Sequence, residues 1–402
     1  MAVDQNADRA TQAAQLAEEV REFLAAHDPA TTEPLEFLRA RYDAGLAWVN
    51  YPEGYGGKGL DRSLQADVSD AFAKAGAPDN KAGMNAIGLG MAAPTLLAFA
   101  SEEDAKRLLR PLWTGENIWC QMFSEPGAGS DLAGLGTSAV KQENGDWLIN
   151  GQKVWTSLAH HAEYALLVTR SDPDAVKHRG MTYFWVKMDT PGIDVRPLRQ
   201  ITGEAEFNEI FLDDVVIPDN QRLGEVGQGW AVAQTTLMNE RVAIGGKVAR
   251  RGEGAIGEAV RTWESSEQRD PALRDALLSN WVEAEALRIA QIRLGQSLAV
   301  GAPGPEGSAV KLGLTSLTQR LTGLELEIQG DDGLRYDNYD MRRPDLDKRW
   351  SRIPGFRYLR WRGLSIEGGT SEIMRNIISE RVLGLPPEPR IDKDVPWKDL
   401  PR

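Results

Sequence analysis

The chain has 402 residues, too many for one small core and enough for two or three packed domains. Asp and Glu number 59 against 46 Lys and Arg, a formal charge of −13, which disfavours nucleic acid or an anionic membrane surface as a partner. A single cysteine, Cys120, excludes an internal disulfide framework and a cysteine-cluster metal site, and the four histidines leave little for a metal centre.

The first residues, MAVDQNADRATQ, are polar and predict no secretory or transit leader. No stretch reaches the ~18 apolar residues of a membrane span, so a cytoplasmic protein is expected. Residues 11–113 read as helix: Leu16, Val20, Phe23 and Leu24 recur at helical spacing, Leu35, Leu38 and Leu46 continue the pattern, and 90–110 is one Ala/Leu-rich run. Between them lies a Gly/Pro loop. Residues 118–217 change texture to short β-rich runs (IWCQMF, TSAVKQ, DWLI, KVWTS, YALLVTR, MTYFWVKM, FNEIFL). Asn150-Gly151 predicts a two-residue hairpin turn between DWLI and QKVWTS. The spacing predicts an antiparallel barrel or sandwich. From Trp230 the chain is helical again, with helices expected over 230–263, 273–299, 308–329 and within 356–384. The Pro-rich tail is expected to be loosely held. The expected division is a helical domain over 1–115, a β-domain over 116–220, a helical bundle over 221–385 and a tail over 386–402.

Gly54-Tyr55-Gly56-Gly57-Lys58-Gly59 spells GxGxxG, but Pro52 precedes it and no apolar strand leads in, so a dinucleotide-binding turn is not expected. Ser124 to Asp131 (SEPGAGSD) follows a candidate strand; its small residues could let a phosphate or planar ring approach, or form an ordinary loop. Trp155 ends a strand, where a tryptophan is usually core. Glu240 shares its helical face with Ala233, Thr236, Leu237, Ala243 and Ile244, which puts a carboxylate in a mostly apolar stripe. Burial raises a carboxyl pKa and suits a general base; a structural carboxylate paired with an arginine of another helix is the reading the residues alone favour. Glu367-Gly368-Gly369-Thr370 opens a final helix, as a cofactor-binding terminus or a plain cap.

Together AWVNYPEGYGGKG, FSEPGAGSDLAGLGT, WLINGQKVWTS, GQGWAVAQTTLMNERVAIG and IEGGTSEIMRNIISERVLG, in this order, resemble the acyl-CoA dehydrogenase family over about residues 10–385. The resemblance implies an N-terminal helical domain, a middle antiparallel β-barrel or sandwich, and a C-terminal four-helix bundle. It implies FAD, an acyl-CoA thioester substrate, α,β-dehydrogenation, and electrons passed to an electron-transfer flavoprotein. It places the cofactor at Gln121, Phe123, Ser124, Trp155, Ser157, Thr370 and Glu372, and the CoA substrate at Gly129, Ser130 and Arg241. A flavin ribityl hydroxyl and the Gly368 backbone N–H would polarise the thioester carbonyl.

Two departures from the family pattern stand out. Many members carry the catalytic Glu where this chain has Gly368; a second group carries it where this chain has Glu240, which becomes the expected base, with Glu367 as fallback. A glycine at 368 removes bulk and implies a branched or bulky acyl group, such as a steroid side chain. The family's Arg-x-x-Phe-Gly segment, which touches a neighbouring subunit's FAD, is replaced by RTWESSEQRDPALRDALLSNW; Arg269 or Arg274 is a candidate substitute. Glu327 to Gly330 matches another neighbour-contact segment only loosely. The assembly implied is therefore a homotetramer, or a heterotetramer in which a paralogous subunit completes the FAD site. The alternatives weighed are a structural subunit of such a heterotetramer, a flavin oxidase or monooxygenase on the same fold, and a DNA-associated flavoprotein, which the charge disfavours.

Overall fold

A computed structural model describes residues 2–245, 248–300, 304–336, 338–344, 352–390 and 392–401, without the side chains of 2–8, 240–245 and 298–300. The chain opens with helices α1 (Ala2–Ala26), α2 (Pro34–Asp43), α3 (Gln65–Lys74), α4 (Ala93–Phe99) and α5 (Glu102–Trp113). Leu16, Val20 and Phe23 of α1 are buried. Phe23, Phe37 and Phe72 meet edge to face at 5.4–6.1 Å, the arrangement that aromatic quadrupoles favour. The 90–110 run is two helices, because the Ser101 hydroxyl accepts the Asp104 N–H at 3.1 Å and starts α5 afresh. The GxGxxG segment is a packed loop: a Cβ on Gly56 would lie 2.5 Å from the Tyr42 ring, so its glycine serves close packing.

The middle of the chain is an eight-stranded sheet: β1 (Trp119–Met122), β2 (Ser138–Lys141), β3 (Trp147–Ser157), β4 (Tyr164–Arg170), β5 (Met181–Lys187), β6 (Ile193–Leu198), β7 (Phe207–Ile217) and β8 (Arg222–Leu223). The order is β6-β7-β3-β2-β4-β5-β8, mostly antiparallel, with β1 alongside β4 in parallel. Alternation along β4 and β5 sorts the core. Leu166, Val168, Tyr183 and Trp185 face the N-terminal helices, while Ala165, Leu167, Phe184 and Val186 face the sheet's other core. Covered on both faces, these strands read as unbroken apolar runs.

Asn150-Gly151 does not turn the chain. The turn lies at Gln142–Asp146, and Asn150-Gly151 runs inside β3. Asn150 and Asp214 exchange two hydrogen bonds, both 2.9 Å, where β7 bulges, and a Cβ on Gly151 would lie 2.5 Å from the Thr137 hydroxyl. The Asn fixes a bulge and the Gly admits a neighbouring strand.

The remaining helices are α6 (Gly229–Gly245), α7 (Ala255–Ser265), α8 (Pro271–Val300), α9 (Gly307–Gln329), α10 (Pro354–Trp361) and α11 (Ser371–Ile377). The single helix expected over 230–263 is two: α6 ends at Gly245 and α7 begins at Ala255, after Gly252 and Gly254, whose left-handed φ of 78° and 76° a continuous helix does not admit. The tail also departs from expectation. Residues 383–390 are exposed, but 392–400 dock on the β-domain, with Trp397 N–H bonded to Ala175 O at 2.9 Å. A tryptophan with a buried partner surface offsets the ordering entropy that a charged Pro-rich segment alone could not. No described helix is long and apolar enough to cross a membrane.

Helix α6 is the meeting point. Its Thr236 hydroxyl lies 2.9 Å from that of Thr95 on α4 and 3.1 Å from that of Tyr183 on β5, all three buried. Thr95 and Thr236 can each spend their proton on a helix carbonyl one turn back, so the Tyr183 hydroxyl donates to Thr236. Thr236→Val would orphan that buried phenol. The expected loss is ~1–3 kcal/mol in urea unfolding, partly recovered by adding Tyr183→Phe.

Candidate active site

Two residues of β3, Val154 and Trp155, oppose the single Glu209 of β7 between the pairs Lys153↔Ile210 and Thr156↔Asn208. This bulge puts Trp155 at φ +60°, a conformation that costs a non-glycine residue on the order of 1 kcal/mol or more. Its indole is 56% exposed and stands edge-on to Phe207, centroids 5.7 Å apart. A large aromatic held out of the core by strained backbone is a platform for another planar ring.

The bulge is anchored by a buried ion pair. Lys153 is fully buried, and its ammonium donates to Glu125 Oε1 at 2.8 Å and Phe123 O at 3.0 Å. The Glu125 carboxylate also accepts the backbone N–H groups of Gly136 (2.7 Å) and Thr137 (2.9 Å). Burial alone would raise the Glu125 carboxyl, but the Lys153 charge and these hydrogen bonds hold it below its ordinary value. The Val154 N–H bonds Ser124 O at 2.8 Å, tying the SEPGAGSD loop to the same strand.

The glycine-rich loop before α11 is gripped from α9. Lys311 donates to Leu364 O at 2.6 Å and Gly369 O at 2.7 Å, and Gln319 to the carbonyls of Trp361 and Arg362. Gly368 and Gly369 have φ of 62° and 91°, so the chain reverses there at no steric cost. The Thr370 hydroxyl caps α11, accepting the Ile373 N–H at 3.1 Å.

Arg360 joins the two regions. It pairs with Glu206 at 3.0 Å and Glu367 at 3.1 Å, with its guanidinium 5.6 Å from the Phe207 ring centroid. Trp155, Phe207, Arg360 and Glu367 therefore form one chain of contacts from the β-bulge to the glycine loop. Burial opposes the Arg360 charge, but the two carboxylates outweigh it and raise its pKa.

The remaining expected residues divide. The Gln121 Oε1 is buried with no hydrogen-bond partner among the described residues. The Phe123 ring is in the core, edge-on to Tyr183 at 5.8 Å, so what it offers is backbone. Ser124 and Ser157 are half-buried beside the bulge; Gly129 and Ser130 are exposed on the loop. Glu372 is exposed, 3.5 Å from Arg375. Glu240 and Arg241 are on α6, with Ala233 and Thr236 on Glu240's side of the helix fully buried; the side chains of 240 and 241 lie outside the described residues. Arg269 folds onto its own chain, donating to Ser266 O and Gln268 O at 2.6 Å, while Arg274 lines a groove with Val260, Trp263, Leu277, Leu278 and Trp281. An orphaned amide oxygen on β1 and an exposed indole on β3, two strands of one sheet, fit a planar, hydrogen-bonding group, as FAD requires.

Sequence reading missed Lys153, Glu206, Phe207 and Arg360. A lysine in a strand is usually a solvated one, and its carboxylate is 28 residues away, so only the apolar company of Lys153 hints at burial.

Three family profiles match the chain: "Acyl-CoA dehydrogenase, N-terminal domain" over residues 3–116, "middle domain" over 120–215 and "C-terminal domain" over 227–383. The acyl-CoA dehydrogenase IpdE1 of Mycobacterium tuberculosis is 37% identical over 350 residues, 86% of each protein. The acyl-CoA dehydrogenase FadE34 of the same organism is 40% identical over 349 residues, 86% of this chain but 45% of that protein, so the chain spans less than half of that relative. The crystal structure of the ChsE4-ChsE5 complex from M. tuberculosis matches with a TM-score of 0.67 and 25% identity, covering 96% of this chain and 98% of that one. The "Tcur3481-Tcur3483 steroid ACAD" shares the fold at a TM-score of 0.67 and 24% identity, over 94% and 98% of the two chains.

Lys153→Met would leave the Glu125 carboxylate buried and unpaired, a loss of ~3–5 kcal/mol in thermal or urea unfolding, partly recovered by Glu125→Gln. The wild-type pair also sets an acid limit. Because the folded carboxyl lies below its ordinary 4.5, its contribution is complete above that pH and disappears as pH falls through the lower folded value. A pH series of melts should show this slope in wild type and not in the Lys153→Met/Glu125→Gln double variant.

Proposed function

The chain belongs to the acyl-CoA dehydrogenase family, and from that membership we propose that it oxidises an acyl-CoA thioester between the α and β carbons, with Glu240 as the base. The family's members are flavin-dependent oxidoreductases that bind FAD. Bound FAD supplies the acceptor for the hydride that leaves the β carbon. The chain's own residues supply the rest. The Glu240 carboxylate takes the α-proton, and the Gly368 N–H polarises the thioester carbonyl, which lowers the cost of the developing enolate charge. Trp155 backs the cofactor ring, with the backbone of Phe123 and Ser124 and the side chains of Gln121 and Ser157 around it. Thr370 and Glu372 hold the cofactor at the last helix. Gly129, Ser130 and Arg241 receive the CoA arm.

The observation that carries this reading is the Arg360 bridge from Glu206 to Glu367. It sets the glycine loop beside the Trp155 bulge, which supports a reading in which donor loop and ring platform serve one site. The bridge also bears on the choice of base. The Glu367 carboxylate is held by the Arg360 guanidinium at 3.1 Å, a structural engagement that favours Glu240 as the base. The bare Gly368 leaves room for a bulky acyl group. A steroid substrate is the specific expectation, in keeping with the "steroid ACAD" of the same fold. Electrons pass onward to an electron-transfer flavoprotein.

The replacement of the neighbour-contact Arg-x-x-Phe-Gly segment supports a heteromeric assembly as a second reading beside a homotetramer. The complex of ChsE4 with ChsE5 offers a precedent among similar folds.

Glu240→Gln keeps the shape and removes the base. Turnover in anaerobic stopped flow should fall by ~10²- to 10⁴-fold while flavin content is retained. Wild-type turnover in that variant would overturn the assignment and turn attention to Glu367.

A further inference from the structure

The docked tail touches the same loop that carries Gly129 and Ser130. The Trp397 indole N–H donates to Gly134 O at 3.1 Å, and the ring lies 3.5 Å from where a Cβ on Gly136 would stand. The Arg170 guanidinium, buried, sits 4.9 Å from the Trp397 ring centroid and bonds the carbonyls of Ala133, Leu135 and Lys177. Lys177 bridges Asp131 of the loop at 2.8 Å and Asp392 of the tail at 2.6 Å. Beyond the loop, the tail pairs with the β4–β5 connection: Lys398 N–H reaches Pro173 O at 3.1 Å and its ammonium Asp174 at 2.5 Å.

The loop from Glu125 to Gly136 is thus tied twice. Its two ends are fixed to the sheet by Glu125, through Lys153 and the Gly136 and Thr137 N–H groups. Its 131–136 limb is held by Arg170 at Ala133 and Leu135, by Lys177 at Asp131 and by Trp397 at Gly134, with Asp392 of the tail bound to Lys177. The Pro126–Ser130 limb between is largely exposed. A short Pro-rich stretch, 386–389, carries the chain from the helical bundle to this surface and restricts where the tail can land.

We propose that residues 392–400 are a strap that holds the 131–136 limb, and that Trp397 is a positioning residue for the CoA moiety of the substrate. The second half rests on the functional reading above; the clamp itself does not. The strap acts on the substrate side of the loop, whereas Lys153 and Trp155 hold the cofactor side. The two should therefore separate experimentally: release of the strap loosens CoA and spares flavin.

The test uses the full chain, a chain ending at Leu385, and the variants Trp397→Ala and Trp397→Phe. Hydrogen exchange reads the clamp without reference to activity. The Gly134 and Leu135 amides, bonded to Asp131 O and Leu132 O, should exchange at least tenfold faster in the shortened chain and in Trp397→Ala. Peptides from β3 (Trp147–Ser157) should be unchanged, which also shows that the variants are folded. Trp397→Phe keeps a ring over Arg170 and should restore most of the protection. Calorimetry with coenzyme A itself should show about tenfold weaker binding in the two disrupted forms, with bound flavin equal to wild type. The acyl-CoA that best reduces the wild-type flavin should show raised KM with kcat within about twofold. Unchanged exchange at 134 and 135 in both disrupted forms would overturn the strap. Faster exchange with unaltered CoA affinity would overturn the positioning role. A wild-type chain that binds no CoA would instead count against the functional reading, leaving the exchange result to decide the clamp alone.

Discussion

A lysine ammonium fully enclosed by a sheet is the constraint around which the site is organised. Moving such a charge out of water costs several kcal/mol unless a counter-charge and hydrogen bonds replace the hydration. Lys153 finds both in Glu125 and the Phe123 carbonyl, and Glu125 spends its remaining capacity on the Gly136 and Thr137 N–H groups. The arrangement leaves the loop little freedom, since any shift of Glu125 strands a buried charge. The same strand continues into the bulge that turns Trp155 out of the core. Loop position and ring platform are consequences of one pairing.

The helical part of the molecule supplies the opposite wall. Four polar contacts from Lys311 and Gln319 hold the segment from Trp361 to Gly369, and two consecutive left-handed glycines make its reversal cheap. Arg360 then registers this wall against β7 through Glu206 and Phe207. Helix α6, which bears Glu240, is located independently by Thr236 against Thr95 and Tyr183. In dehydrogenation a base and a carbonyl donor must approach one substrate from fixed directions, and preorganised groups do so without reorganisation at the moment of reaction. Separate anchoring of the helix, loop and indole to which the proposal gives these roles is a way to meet that demand.

Much of this was legible in the residues. The helix, β, helix division followed from periodicity, and both-face burial explains why β4 and β5 read as unbroken apolar runs. The motifs around Ser124, Trp155, Glu240 and Gly368 identified the family, because a specific order of five segments carries far more information than any one of them. What stayed hidden was long-range or depended on what packs nearby. Asn150-Gly151 has the composition of a hairpin turn, but a neighbouring strand and a bulge on β7 require the same two residues. Strand β6 alternates half-buried with exposed residues and gave too little apolar signal to stand out. Glu206 and Arg360 are 154 residues apart, a separation at which local pattern says nothing. The tail's charge and prolines suggested looseness, and only the surface that Trp397 meets reverses that reading.

The most direct test of the account is the visible spectrum of the purified chain, followed under anaerobic addition of straight-chain, branched and steroid acyl-CoA thioesters. The account predicts bound yellow flavin that bleaches on adding a bulky, steroid-type thioester and less readily with straight chains. Bound flavin that no acyl-CoA reduces, in the presence or absence of a paralogous subunit, would contradict it.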